Sequence, residues 1–176
     1  MPRRLHISLT GKPGQMALDF VAFADGQSVV FSGPSAAPVT VAANCTQQTL
    51  NTYTAFWCTA VMQPLAAATT YTYKAGSDAA GWTAPFSFAS SVAAPVFAVL
   101  ADYGLGNDES EAQLIADGKS GAYDIIIHAG DFAYDFDDAG SKTGNGFMNS
   151  LQPFAATHPY MPSTSRPREN DKPTLR

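Results

Sequence analysis

The chain has 176 residues, enough for one large or two small domains with a real core. Apolar residues make up 45% and charged residues only 14%, against the roughly 25% charged usual for soluble proteins. The net charge of −5 argues against a nucleic-acid surface, and no apolar run reaches membrane-spanning length. Residues 1–6 carry bases with no apolar segment behind them, so no secretory signal is expected in this chain.

Residues 5 to about 90 read as short strands separated by turns. Residues 5–10 alternate apolar and polar, the period-2 pattern of a half-buried strand. Turn chemistry at 11–14 leads into a second strand at 16–23, and Asp25-Gly26 turns into a third at 28–31. Residues 39–41, 52–57, 70–73 and 85–88 continue at short intervals. About seven strands with almost no helical periodicity indicate a β-sandwich. Trp57, Trp82 and the tyrosines are read as core, and His6 as a strand residue. Cys45 and Cys58 both fall in strand-like stretches, as a cross-strand disulfide or as two buried thiols.

Residues 90–95 are small and end in Pro95, which marks a boundary. Beyond it the period changes. A buried apolar strand over 96–101 delivers Asp102 and then Gly104. Asn107 is the expected N-cap of a helix with Ala112, Leu114 and Ile115 as its apolar face, ended by Gly118 and Gly121. Residues 125–127 are a β-branched run, read as a strand buried on both faces, that ends at Gly130-Asp131. This is one βαβ unit with parallel strands. A second helix over 146–157 places Phe147, Leu151 and Phe154 on one face, with Pro153 bending it, and a third strand enters at 158–162 with His158 structural.

Two neighbouring parallel strands that each end in Asp near Gly bring hard oxygen donors to one sheet edge, as a divalent or trivalent metal site requires. Tyr134 offers a phenol three residues after Asp131. Ten of the fifteen acids lie between Asp102 and Asp138, where Lys119 is the only base, and such a segment suits a cation. The competing reading makes Asp102 and Asp131 loop acids that cap turns.

Asp102-Tyr-Gly104 followed by Gly130-Asp131-Phe-Ala-Tyr134 resembles the first two metal-ligand blocks of the purple acid phosphatases, within the metallophosphoesterases. Residues 65–77, with Gly81-Trp82 and Phe86-Ser-Phe88, resemble the amino-terminal domain of the plant-type members. The resemblance runs from about residue 5 to about residue 162. It implies a mainly β plus α/β chain: a fibronectin type III-like β-sandwich over 1–90, then the first βαβ portion of a metallophosphatase domain, truncated, over 95–162. It also implies an acid phosphatase that hydrolyses phosphate monoesters at a dinuclear metal site. Asp131 would bridge the two metals, Asp102 and Tyr134 would hold ferric iron, and the second ion would be zinc, manganese or iron. Family members are often homodimeric, and an extracellular or vacuolar location follows from the same resemblance.

The pattern is lost after Pro162. Where the family has Gly-Asn-His-(Asp or Glu), residues 163–176 carry four of the ten bases and no apolar pattern, and read as a disordered tail. Asn170 lies in no matching context and receives no ligand role. With three oxygen ligands and none of the family's histidines, this chain alone is expected to bind metal weakly and to lack competent catalysis. A sheet of two or three strands should leave an exposed edge and uncovered apolar faces. The alternatives are a non-catalytic β-sandwich binding or adhesion module and a generic metallophosphoesterase.

Overall fold

The computed structural model describes residues 1–50, 53–106, 109–131, 136 and 138–163. Nine strands precede residue 90: β1 (Arg3–Leu9), β2 (Met16–Ala22), β3 (Ser28–Ser32), β4 (Val39–Ala42), β5 (Asn44–Leu50), β6 (Tyr53–Met62), β7 (Thr70–Ser77), β8 (Gly81–Trp82) and β9 (Phe86–Ala89). They form two antiparallel sheets, one ordered β1-β2-β6-β5 and the other β4-β3-β7-β8 with β9 also on β7. The inner faces supply a common core that includes Leu5, Ile7, Leu18, Phe20, Phe31 and Met62. Within it Tyr71 stacks on Phe88, and Tyr73 meets the same ring edge-on.

Strand β5 is not among the seven strands expected, although Cys45, which it contains, falls in a stretch read as strand-like. Its sequence is polar, so no alternation announces it, and it is held instead by pairing along β6. Cys45 and Cys58 stand directly opposite in that register and are joined by a disulfide across a Cα–Cα distance of 4.0 Å. The two tryptophans are not core. Side chains at 58, 60 and 62 of β6 face inward, which turns Trp57 outward, where it is half-buried. Trp82 is likewise half-buried, with the Lys74 ammonium 4.7 Å above its ring.

The second part holds β10 (Phe97–Leu100), α1 (Glu111–Ser120), β11 (Ile125–Ala129), α2 (Asp138–Ala155) and β12 (Tyr160–Ser163). The strands are parallel and lie in chain order. Ser110 occupies the N-cap position of α1 without a side-chain capping bond, and Asn107, the expected cap, lies outside the described residues. Gly121 ends it in a left-handed conformation at φ 73°, Gly118 is interior, and Ala112 is exposed rather than part of the apolar face. In α2, Ala139, Gly140 and Ser141 have left-handed φ values of 50°, 69° and 69°, so regular turns follow Ser141. Phe147, Leu151 and Phe154 are buried on one face as the spacing predicts.

Two crossovers that step the same way across a sheet, both right-handed, place both helices on the same face. Accordingly Leu114 and Ile115 of α1 join Phe147, Leu151, Ile126 and Tyr160 in one cluster. The opposite face is open over β10, while the end of β1 reaches Met161 of β12. Phe97 is 49% and Val99 67% exposed, and Ile125 and Ile127 are half-buried. The expectation that the strand at 125–127 is buried on both faces is therefore wrong for this chain, while over β10 the uncovered apolar face expected of a short sheet is present.

The two parts share their packing. Ala156, just beyond α2, belongs to the sandwich core, and the Tyr73 hydroxyl donates to its carbonyl at 2.7 Å. The Leu5 amide donates to Gln152 Oε1 at 3.1 Å, so β1 runs along α2.

Candidate functional site

The register Leu100↔His128 fixes what lies beyond the strand ends. Asp102 stands two residues past the end of β10 and Asp131 two residues past the end of the adjacent β11. Both aspartates are exposed, at the carboxyl edge of the parallel sheet. Both also adopt the left-handed backbone region, with φ 55° at Asp102 and 46° at Asp131. A residue with a Cβ reaches that region at a cost of about 1–3 kcal/mol, and strained positions of this kind gather at functional sites. The turn into Asp131 is tight: Gly130, itself at φ 78°, donates its amide to the His128 carbonyl at 3.1 Å.

Tyr134, the third expected ligand, lies outside the described residues. Among the described residues no group of three or more His, Cys, Asp or Glu side chains could hold a metal ion. The structure thus brings Asp102 and Asp131 to one edge and offers two hard oxygen donors there, a set that fits ferric or divalent ions as part of a larger shell.

A polar layer lies beneath this edge. His128, fully buried on β11, shares a hydrogen bond between Nδ1 and the Tyr160 hydroxyl at the start of β12. Tyr103, which follows Asp102, is also buried and meets the His128 ring edge-on at 6.1 Å. Burial holds the His128 imidazole below its ordinary range, opposed by the negative charge of Asp102. Burial, and then Tyr103, raise the Tyr160 phenol well above its ordinary value. Both groups are therefore neutral near pH 7. None of the three stands out as functional in the sequence; the one signal is an imidazole inside a β-branched strand.

The other histidines have structural surroundings. His158 Nδ1 bonds the Thr157 hydroxyl at 2.9 Å, and its ring packs on Tyr123 at 4.8 Å. His6 Nε2 lies 3.8 Å from the Asp19 carboxylate on the outer face of the sandwich. A cavity of about 730 Å³ opens there between β1, β2, β6 and α2, lined by Arg4, Asp19, Trp57, Asn145 and Met148 among others. Neither Asp102 nor Asp131 lines it.

The family profile for the purple acid phosphatase N-terminal domain matches residues 2–90, just over half of the chain. The chain belongs to the purple acid phosphatase family. The mouse (Mus musculus) acid phosphatase type 7 is 29% identical over 170 residues, covering 91% of this chain and 39% of that protein. The human (Homo sapiens) acid phosphatase type 7 matches with the same identity and coverage. The zebrafish (Danio rerio) acid phosphatase type 7 is 38% identical over 105 residues, which is 57% of this chain and 24% of that protein. This purple acid phosphatase sequence therefore spans about two fifths of the length of the mouse and human relatives.

A solved structure of a purple acid phosphatase from yellow lupin (Lupinus luteus) seeds superposes with a TM-score of 0.79. It covers 93% of this chain and 35% of the lupin chain at 18% identity, a likeness of fold. The match takes in the sandwich and the parallel sheet together.

Proposed function

We propose that these residues form the amino-terminal part of an acid phosphatase that hydrolyses phosphate monoesters with two bound metal ions. The observation that carries the reading is the pair of left-handed aspartates at adjacent parallel strand ends, in a chain of this family. Asp102 and Asp131 would hold the metal, with Tyr134 as the third donor from this chain. The first ion is ferric iron and the second zinc, manganese or iron. When bound, such ions neutralise charge on a phosphoryl group and act as Lewis acids.

The chain's own contribution is positional. The turn 128–131 and the turn after Leu100 present two carboxylates without mobile linkers, and the buried aromatic layer beneath them excludes water from that side. The chain divides near residues 90–95, with the sandwich before that point and the catalytic half after it. The Cys45–Cys58 disulfide suits an oxidising compartment, which supports a location outside the cell or in the vacuole. No helix among the described residues is long and apolar enough to cross a membrane. Homodimers would accord with the family habit.

The test is turnover of a chromogenic phosphate monoester by the purified chain, with iron and zinc supplied. Because these residues carry only part of the donor set, the rate should lie several decades below that of a complete site. Asp131→Asn should remove what remains. Vigorous turnover that is indifferent to Asp131→Asn would refute the reading.

A further inference from the structure

His128 is an expensive residue where it stands. Three isoleucines precede it on β11, and a buried imidazole needs hydrogen-bond partners that an aliphatic side chain would not. Those partners all lead to the edge that carries the aspartates. The ring bonds Tyr160 at the start of β12. The His128 backbone carbonyl accepts from Gly130, inside the turn, and from the Ser163 hydroxyl at 3.3 Å, at the end of β12. The rings of Tyr103 and Tyr160 flank the imidazole edge-on, at 6.1 Å and 5.9 Å. Tyr103, just beyond β10, and Tyr160 and Ser163 of β12 therefore all meet at His128 of β11.

We infer that His128 and Tyr160 form a positioning pair that fixes the turn presenting Asp131 beside Asp102. A directional hydrogen bond between buried groups favours one arrangement of a core, where purely apolar packing tolerates several. In this place the arrangement specified is the alignment of β11 with β12 and, through the Gly130 amide, the left-handed conformation of Asp131. The inference rests on the reading of Asp102 and Asp131 as metal ligands. It adds that the donors depend on a hydrogen bond neither of them makes.

The experiment uses the whole 176-residue chain and has two readouts. Tyr160→Phe keeps the ring and deletes the hydroxyl. Amide hydrogen exchange of the metal-free protein should rise about tenfold or more in segments 101–104 and 129–131, with strands of the sandwich unchanged. Unchanged exchange in those segments overturns the inference whatever the metal does. Manganese(II) affinity, followed by electron paramagnetic resonance, should fall about 10–100-fold, the usual effect of removing a supporting partner.

His128→Leu and His128→Asn separate positioning from bulk stability. Combined with Tyr160→Phe, leucine leaves no stranded hydroxyl, and that double variant should nearly hold the melting temperature while losing manganese affinity. Asparagine places an amide where Nδ1 stood and should restore affinity. Affinity that simply follows the melting temperature through both variants overturns the inference. Asp131→Asn tests the ligand reading separately: wild-type affinity in that variant overturns the reading, while the exchange result still decides whether the pair holds the turn.

Discussion

Removing one hydroxyl should show that the sandwich and the parallel sheet unfold as one body. The Tyr73 phenol is 1% exposed and donates to the Ala156 carbonyl at 2.7 Å, across the junction of the two parts. Burial raises its pKa far above the ordinary value, so the group is a neutral donor at any working pH. Tyr73→Phe preserves the ring contacts with Phe86 and Phe88 and leaves a buried carbonyl without this donor. A stranded buried acceptor costs about 1–3 kcal/mol. For a chain of this size each kcal/mol lowers Tm by about 2–4 °C, so a loss of about 4–8 °C is expected at the middle of that range. Both tryptophans of the chain, Trp57 and Trp82, lie in the sandwich, while α1 and α2 lie in the other part. Thermal unfolding followed by tryptophan fluorescence therefore reports one part, and circular dichroism at the helical minimum reports the other. Both curves should shift together. A shift in the helical signal alone, or in neither, would refute the argument that the core is shared.

Other expectations follow from the same packing. The Cys45–Cys58 bridge closes a separation of 13 residues, so its reduction should lower stability by about 3 kcal/mol on the loop-entropy account, measured by urea titration with and without reductant. On β10 and β11 the two faces should respond differently: Val99→Thr should stay within about 0.5 kcal/mol of wild type, whereas Ile126→Ala should cost about 2–5 kcal/mol. Burial holds the His158 imidazole below its ordinary value, against the opposing effects of the Phe154 carbonyl and Asp124. Below about pH 6.5 the unfolded chain then takes up the proton first, so stability falls on acidification towards the lowered native value. Chemical denaturation at pH 7.5 and 5.5 should show that loss, reduced in His158→Gln.

What could be read in advance was local. The inward residues Leu5, Ile7, Leu18 and Phe20 alternate within their own strands, and the spacing of Phe147, Leu151 and Phe154 marks one helix face. Strand β5 was not legible, because its polar residues are held by backbone pairing and a disulfide to a strand further along the chain. The exposure of Phe97 and Val99 was hidden for a different reason. An apolar run such as Phe97–Leu100 looks the same whether one face is covered or two, and the path of the crossovers decides which. Trp57 was assigned to the core from its chemistry, but its parity on β6 turns it to the cavity beside α2. At the candidate site, the aspartates were marked by their glycines and by the family pattern. Their left-handed backbone was not, and His128 acquired meaning only from Tyr160, 32 residues later.

The account stands most directly on whether Asp102 and Asp131 serve one ion. Manganese(II) titrated into the isotopically labelled chain will broaden the amide resonances nearest to it, even when binding is weak. Segments 101–104 and 129–131 should broaden first and together, and Asp102→Asn and Asp131→Asn should each abolish the effect in both. Broadening at only one of the two strand ends, or broadening that survives both substitutions, would contradict the shared site.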